Sequence, residues 1–578
     1  MSIAAPVSDR ILIRLATSDD RNAIYKHRHG VYALELGQHA ANAEGRLTDP
    51  LDAYNIYVAG LLDGEVVGFV SLTPPGHPRY SLDKYFARSE LPFVFDATLY
   101  EVRLLTIVPH YRGGDRGGEI AALLIYAAFR WVESNGGRRI VAIGRREVLG
   151  LYRRVGLQPL GRQIQSGAVT YELLTASVTE LREQVQRYAI SLRQLEPAID
   201  WQLGLPFSPS PGCFHGGAGL EMIGDEFEHL DRIGEAISAD VLDAWFPPSP
   251  RVLAALREHL PWMIHTAPPV LADGLARVIA RTRGVGPENI LTGAGSSQLI
   301  HLAFRHWLTS ASHVLILDPM YGEYAHVLEQ IIRCSVTRLP LSRTEGYVLD
   351  PARLLTVLAV PHDLIVLVNP NNPTGRHVPR HALAEVLRQI SSNSRVWIDE
   401  AYVDYTGPNQ SLEELAARSR NVVVCKSMSK GHALSGVRVA YLCGPAALLE
   451  ELRPLLPPYA VSLPAQVAGV KAMQDPEYYQ QRYQETHALR AELAGGLRET
   501  GFAEVIPGVA NYLLAHLPEP GVAAATVAAR CRMQGLFLRN AQNVGSGLGA
   551  HALRIAVKDR ETNRRMLTIL SRVLHEQR

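Results

Sequence analysis

Lys430 closes the run Val422-Val-Val-Cys-Lys-Ser-Met-Ser-Lys430, in which a short apolar stretch reads as a buried strand and Ser-Met-Ser-Lys as the turn it delivers. A lysine held at the mouth of a sheet can lose its proton and attack a carbonyl, which is Schiff-base chemistry. Taken alone, Lys430 is better read as a surface lysine after a strand. Three other stretches change that balance. Leu367-Val-Asn-Pro-Asn-Asn-Pro-Thr-Gly375 is an apolar strand ending in a polar turn that carries Asn372. Val396-Trp-Ile-Asp-Glu-Ala-Tyr402 is a second buried strand, ending on Asp399 with Tyr402 three residues on. Ile290-Leu-Thr-Gly-Ala-Gly-Ser-Ser-Gln298 puts Gly295 in a tight turn and opens an apolar helix at Ser296 and Ser297, the layout for holding a phosphate on helix N-terminal amides. Arg438, eight residues after Lys430, adds a planar, permanently charged fork suited to the same anion.

In this order, the stretches resemble the fold-type I aminotransferases that use pyridoxal phosphate, most closely their histidinol-phosphate aminotransferase-like branch. The resemblance runs from about Ile237 to the C-terminus. It implies that Lys430 carries the cofactor and later moves the substrate Cα proton, and that Asp399 pairs with the protonated pyridine nitrogen. It places Asn372 and Tyr402 on the ring 3-oxygen, and Gly295, Ser296, Ser297, Ser427 and Arg438 on the phosphate. Tyr321 is the candidate that stacks on the ring, with Tyr324 as substitute and a core tyrosine as the plain alternative for either. Arg554 falls where the family binds the substrate carboxylate, with Asn372 beside it; no second carboxylate-binding arginine is assignable. The Ala239–Pro250 stretch keeps the proline-rich end of the family's substrate entrance but not its polar residues, and His265-Thr-Ala-Pro-Pro stands where the family sends a tyrosine to the partner subunit's phosphate.

The elements before this region form another pattern. Ile11–Ala16 alternates like a strand, and Thr17-Ser-Asp-Asp caps a helix. Asn55 to Leu72 is a hairpin turning at Asp63-Gly64. Tyr100–Val108 is a strand that leads through Tyr111-Arg-Gly-Gly-Asp-Arg-Gly-Gly to an apolar helix over Ile120–Val132, followed by a strand at Arg139–Gly144 and by Tyr152 to Gly156. This order resembles the GNAT acyltransferases. It implies that Arg116, Gly117, Gly118 and Tyr152 meet an acyl donor such as acetyl-CoA, with amides and a helix dipole facing the pyrophosphate. Glu119 replaces a family glycine and would repel that anion. Arg28-His-Gly-Val-Tyr, Asp49-Pro-Leu-Asp and Tyr100-Glu-Val-Arg103 are similar to the acyl-homoserine-lactone synthase branch, which takes acyl chains from a carrier-protein thioester. Glu101 is the candidate base or amine anchor, or else an ion-pair partner of Arg103.

The expected architecture is α/β throughout: a GNAT-like domain over residues 1–178, a helical connector and Pro/Gly-rich linker over 179–217, and an aminotransferase domain over 218–578. Within the last, a large mainly parallel-sheet subdomain would span about 270–450, and a small subdomain would combine 218–269 with 451–578. The 578 residues carry a net charge of +1 with 20% charged side chains, so neither nucleic acid nor an anionic membrane is indicated. Five cysteines lack metal-ligand spacing, and no eighteen-residue apolar run occurs, which favours a cytoplasmic chain without a metal site. The expected function is a bifunctional biosynthetic enzyme, an aminotransferase acting between an amino acid or derived amine and a 2-oxo acid, fused to an acyltransferase-like module. A homodimer is expected, with acyl-carrier protein as a possible donor. The alternative is a pyridoxal-phosphate decarboxylase, oxidase or cyclase carrying a non-catalytic GNAT-like binding domain.

Overall fold

Runs of apolar residues bounded by turn chemistry set the elements in both halves of the chain. A computed structural model describes residues 10–575, apart from 78, 167–168, 209–214 and 225–226. The chain divides into two compact units, Met1–Pro211 and Gly212–Arg578.

The first unit is an eight-stranded sheet in the order β6-β7-β5-β4-β3-β2-β1-β8. Its strands are β1 (Ile11–Leu15), β2 (Ile56–Leu62), β3 (Glu65–Thr73), β4 (Leu99–Ile107), β5 (Arg139–Arg145), β6 (Gln158–Ser166), β7 (Val169–Ser177) and β8 (Ile199–Gln202). Helix α1 (Ser18–Arg28) starts on the Thr17 capping box. The β2–β3 turn has positive φ at both Asp63 and Gly64, the conformation that Asp-Gly favours in a two-residue hairpin. Helix α2 (Gly114–Ser134) buries Ile120, Leu124, Ala127 and Val132, and each large apolar side chain so covered contributes roughly 1.5–3 kcal/mol.

Two parts of this unit differ from the sequence reading. The basic-glycine stretch is only in part a loop before α2, because Gly114–Gly118 already belong to the helix, and a Cβ on Gly117 would lie 2.8 Å from the carbonyl oxygens of both Tyr111 and Arg112. Glycine lets the helix start against that backbone. The connector is also built into the first unit. In place of one helix it holds α4 (Val178–Arg187), α5 (Ala189–Leu195) and β8, which pairs parallel with β1, while the Tyr152 stretch ahead of it forms α3 (Leu149–Arg154). Phe207 is buried, and its carbonyl accepts from the Tyr126 hydroxyl and from Arg130 Nε.

The second unit is organised on a seven-stranded sheet. Its members are β10 (Ile290–Gly293), β11 (His313–Asp318), β12 (Ser335–Pro340), β13 (Leu364–Val368), β14 (Arg395–Asp399), β15 (Val422–Ser427) and β16 (Ala440–Cys443), in the order β10-β16-β15-β14-β13-β11-β12. Neighbours from β12 to β15 are parallel; β16 alone runs against the rest. Buried on both faces, β13 and β15 read as unbroken apolar runs rather than alternating ones. Helices α6 (Pro250–His265), α7 (Asp273–Arg283) and α8 (Ser296–Trp307) belong to this unit, and α8 buries Phe304 edge-on to Trp397 of β14. A short parallel pair joins β9 (Ile237–Ser238) to β19 (Leu536–Phe537). A four-stranded sheet of β17 (Glu504–Val505), β18 (Tyr512–His516), β21 (Ala552–Ala556) and β20 (Arg539–Asn540) completes the unit. Among the described residues, no helix is long and apolar enough to cross a membrane.

Candidate active site

Strands β10, β11, β13, β14 and β15 all point the same way, so their carboxyl ends open on one edge of the sheet, where open α/β sheets bind ligands. Each end delivers one of the residues singled out in the sequence: Gly295 after β10, Tyr321 after β11, Asn372 after β13, Asp399 on β14, and Ser427 and Lys430 from β15.

Lys430 Nζ lies 3.0 Å from Asp243 Oδ1. Burial pulls the lysine below its ordinary value, and the Asp243 charge resists that pull. Asp243 also accepts from Ser435 Oγ at 2.6 Å; burial pushes its carboxyl up, but Lys430 and Ser435 outweigh burial and hold it low. Asp243 was missed in the sequence. Its signal was its position in the stretch that departs from the family's polar entrance. The neighbouring Lys426 is no rival: it is 2% exposed and lies 3.4 to 3.8 Å from the carboxylates of Asp404, Glu400 and Glu413.

Asp399 is buried, with Oδ2 accepting from the Tyr324 hydroxyl at 2.7 Å and Oδ1 from the Ala401 amide at 2.9 Å. Burial raises its pKa, and those two bonds offset the rise only in part. No cation forms an ion pair with it among the described residues, which leaves a carboxylate matched to a protonated ring nitrogen. Tyr324 also accepts from Trp397 Nε1 at 2.8 Å and is fully buried, so it holds Asp399 and is not a stacking substitute. Tyr321, the first stacking candidate, is partly exposed and packs edge-on to Tyr324.

Asn372 Oδ1 accepts from Arg554 Nη1 at 2.9 Å, leaving its Nδ2 as a donor. Arg554 is further fixed by donating to the Asp240 carbonyl at 2.7 Å, and burial lowers its pKa. Tyr402 is buried with its ring edge-on to Tyr512, and its hydroxyl makes no hydrogen bond among the described residues. Burial pushes that hydroxyl well above its ordinary value.

The anion cradle is the turn before α8. Gly295 has φ +92 and ψ 157, a conformation that L side chains rarely adopt, and a Cβ there would meet Arg438 Nη2 at 2.5 Å. Ser296 and Ser297 form the first turn of α8, whose amides have no intrahelical acceptor. Ser427 caps its own turn by accepting from the Ser429 amide at 3.3 Å. Amides, hydroxyls and a guanidinium meeting at a glycine suit a phosphate. With a cation-seeking carboxylate in Asp399 and an amine in Lys430, the donor set fits pyridoxal phosphate.

One residue near this site lies beyond the sequence reading. Arg539 on β20 is directly opposite Arg554 on β21, a cross-strand pair of cations.

The first unit's candidates are not gathered in the same way. Glu101 forms no ion pair with Arg103 among the described residues, although that charge acts on it. It is fully buried, accepting from the Ser81 amide at 2.7 Å, the Ser81 hydroxyl at 2.6 Å and the Leu82 amide at 3.0 Å, so it caps the turn at 81–84. Arg103 pairs instead with Asp49 at 2.6 Å, and Asp49 also takes Arg28 at 3.0 Å. Gly117 and Gly118 lie inside α2, Glu119 is exposed, and the Arg116 side chain lies outside the described residues. Tyr152 packs on β5, where a Cβ on Gly144 would come within 2.5 Å of its ring, and burial pushes its hydroxyl up to about 12.

The profile of aminotransferases of class I and II matches residues 244–570. A histidinol-phosphate aminotransferase of Rhodopseudomonas palustris is 29% identical over 325 residues, covering 55% of this chain and 86% of that protein. Histidinol-phosphate aminotransferase 2 of Dechloromonas aromatica is 32% identical over 315 residues, 54% of this chain and 85% of that one. Among solved structures, the histidinol-phosphate aminotransferase of Sinorhizobium meliloti in complex with pyridoxal-5'-phosphate aligns with a TM-score of 0.53 at 20% identity, over 58% of this chain and 90% of that one.

Proposed function

The chain belongs to the class I and II aminotransferases, and from that membership we propose that it moves an amino group between a small anionic amine, an amino acid or a derivative such as a phosphate ester, and a 2-oxo acid. Its cofactor is pyridoxal phosphate. When bound, the cofactor supplies a carbonyl for amine exchange and a ring that accepts the electron pair left at the substrate carbon. Gly295, Ser296, Ser297, Ser427 and Arg438 would hold its phosphate, Asp399 would keep a proton on its ring nitrogen, and Asn372 and Tyr402 would meet its 3-oxygen. Lys430 Nζ, lowered by burial and steadied by Asp243, is placed to give up and take back a proton at the substrate carbon. Arg554 would bind the substrate's acidic group.

The Lys430–Asp243 pair at the mouth of β15 carries this reading. Borohydride should fix the cofactor to Lys430, and Lys430→Ala should lose the adduct, as read by mass mapping; label on Lys426 would refute the assignment. A homodimer accords with the family and with the exposed Trp262 and Ile264 near the end of α6.

A second activity is proposed for the first unit, which would bind an acyl thioester, either acetyl-CoA or a carrier-protein conjugate. It is supported by the parting of two parallel strands. β4 pairs with β5 only from Leu99 to Val102, although β4 runs on to Ile107 and β5 to Arg145. A bulge with Leu104 at φ +54 bends β4 at the point of parting. Calorimetric titration with acetyl-CoA tests this reading, which fails if neither acetyl-CoA nor longer acyl thioesters bind.

A further inference from the structure

Residues 215–218 precede the stretch that matches the family, and in the sequence they read as the end of a linker. In the second unit they are pinned to the active site. The amides of Gly217 and Ala218 donate to Asp240 Oδ2 at 2.7 and 3.2 Å, and a Cβ on Gly216 would sit 2.5 Å from the Asp240 carbonyl oxygen. That same carbonyl accepts from Arg554. From this anchor His215 reaches the buried Glu323, with Nε2 3.0 Å from Oε2, while His301 Nε2 lies 2.9 Å from the other carboxylate oxygen. The remaining ring nitrogen of His215, Nδ1, faces the Tyr321 hydroxyl at 3.4 Å, with the rings 5.5 Å apart.

A carboxylate that accepts at both oxygens fixes the two imidazoles that donate to it. With Nε2–H donating to Glu323, a neutral His215 presents Nδ1 as an acceptor for the Tyr321 hydroxyl. The order of carboxylate, imidazole and hydroxyl is the one that orients reactive groups in other sites. Here it ends on the ring expected to lie over the cofactor.

We propose that residues 215–218 form a strap belonging to the active site, and that His215, oriented by Glu323, is a positioning residue that fixes the Tyr321 ring. This rests on the aminotransferase reading only in treating Tyr321 as a wall of the cofactor site. The strap ties two walls together, since one end packs on the residue that holds Arg554 and the other on Tyr321. A residue outside the family's own stretch would thereby set cofactor geometry.

The test is a double-mutant cycle on the full chain, using the circular dichroism of bound pyridoxal phosphate and its dissociation constant. His215→Ala and Tyr321→Phe should each weaken retention roughly two- to tenfold, the worth of one hydrogen bond, and shrink the dichroic band. Combining them should do no more than Tyr321→Phe alone, because both remove the same contact. Additive losses, or a His215→Ala protein indistinguishable from wild type, would overturn the strap. Should His215→Ala not fold, His215→Gln with Tyr321→Phe completes the same cycle. Wild-type protein that fails to carry the cofactor on Lys430 would bring down the aminotransferase reading and the strap with it. Retention by wild type with no effect at His215 removes the strap alone.

Discussion

A carboxylate as deeply buried as Asp399 is costly unless something positive meets it, and among the described residues it accepts hydrogen bonds from the Tyr324 hydroxyl and the Ala401 amide but forms no ion pair, with the Lys426 charge acting from farther off. The side chain is therefore poised for a ligand cation rather than balanced within the fold. Asp399→Asn should keep cofactor affinity, since the turn at Gly295 is untouched, while turnover falls on the order of a hundredfold or more as the ring nitrogen loses its proton. Equilibrium binding and single-turnover rates of the purified variant separate the two effects. Lys426 makes the contrast within four residues. Its charge is neutralised by a ring of carboxylates, so it holds the fold, whereas Lys430 has one exchangeable partner in Asp243.

An element earns its role here through how it ends. Helix α8 matters to the site because its first turn begins at a glycine with φ +92, which lets backbone and Arg438 approach one point. Gly295→Ala would force an alanine into a region that costs about 1–3 kcal/mol and would push Arg438 away. Cofactor affinity should drop by about tenfold or more, checked by fluorescence titration, with the unfolding midpoint lowered only modestly. Helix α2 in the first unit shows the same economy of glycine for a different purpose. Gly117 brings the helix onto the carbonyls of Tyr111 and Arg112, so its small size serves packing within the fold.

Across the whole molecule, buried titratable groups give stability a definite pH dependence. His432 and His516 are both buried, and burial lowers each to about 4 from an ordinary 6.5. Between those values the unfolded chain takes up protons that the native state refuses, so stability is full above about pH 6.5 and falls toward pH 4. Glu400, pushed up to about 7 by burial, works in the opposite direction, eroding stability as pH rises from 4.5 to 7. For these three groups alone, the two histidines outweigh Glu400 by about 1–2 kcal/mol on going from pH 5 to pH 7, at about 1.4 kcal/mol per pH unit. Denaturant midpoints at the two pH values should show it, and His432→Gln with His516→Gln should flatten or reverse the trend.

Lys430, Asp399, Asn372 and the Gly295 turn were legible in the sequence because each sits at the end of a strand whose apolar run and turn chemistry are local properties. The hairpin at Asp63-Gly64 was legible for the same reason. Asp243 was not, since it is 187 residues from Lys430 and meets it only through the folding of the chain. That Arg539 lies opposite Arg554 became visible only when β20 paired with β21, and Tyr324 turned from stacking candidate to support for Asp399 only once Trp397 and Asp399 lay beside it. Glu101 carried the right residue type on the right strand, yet which donors meet a carboxylate depends on where a distant turn is laid down, and the turn at 81–84 took it. Sequence sets what each strand end offers. The order β10-β16-β15-β14-β13-β11-β12, which does not follow the chain, decides which offers meet.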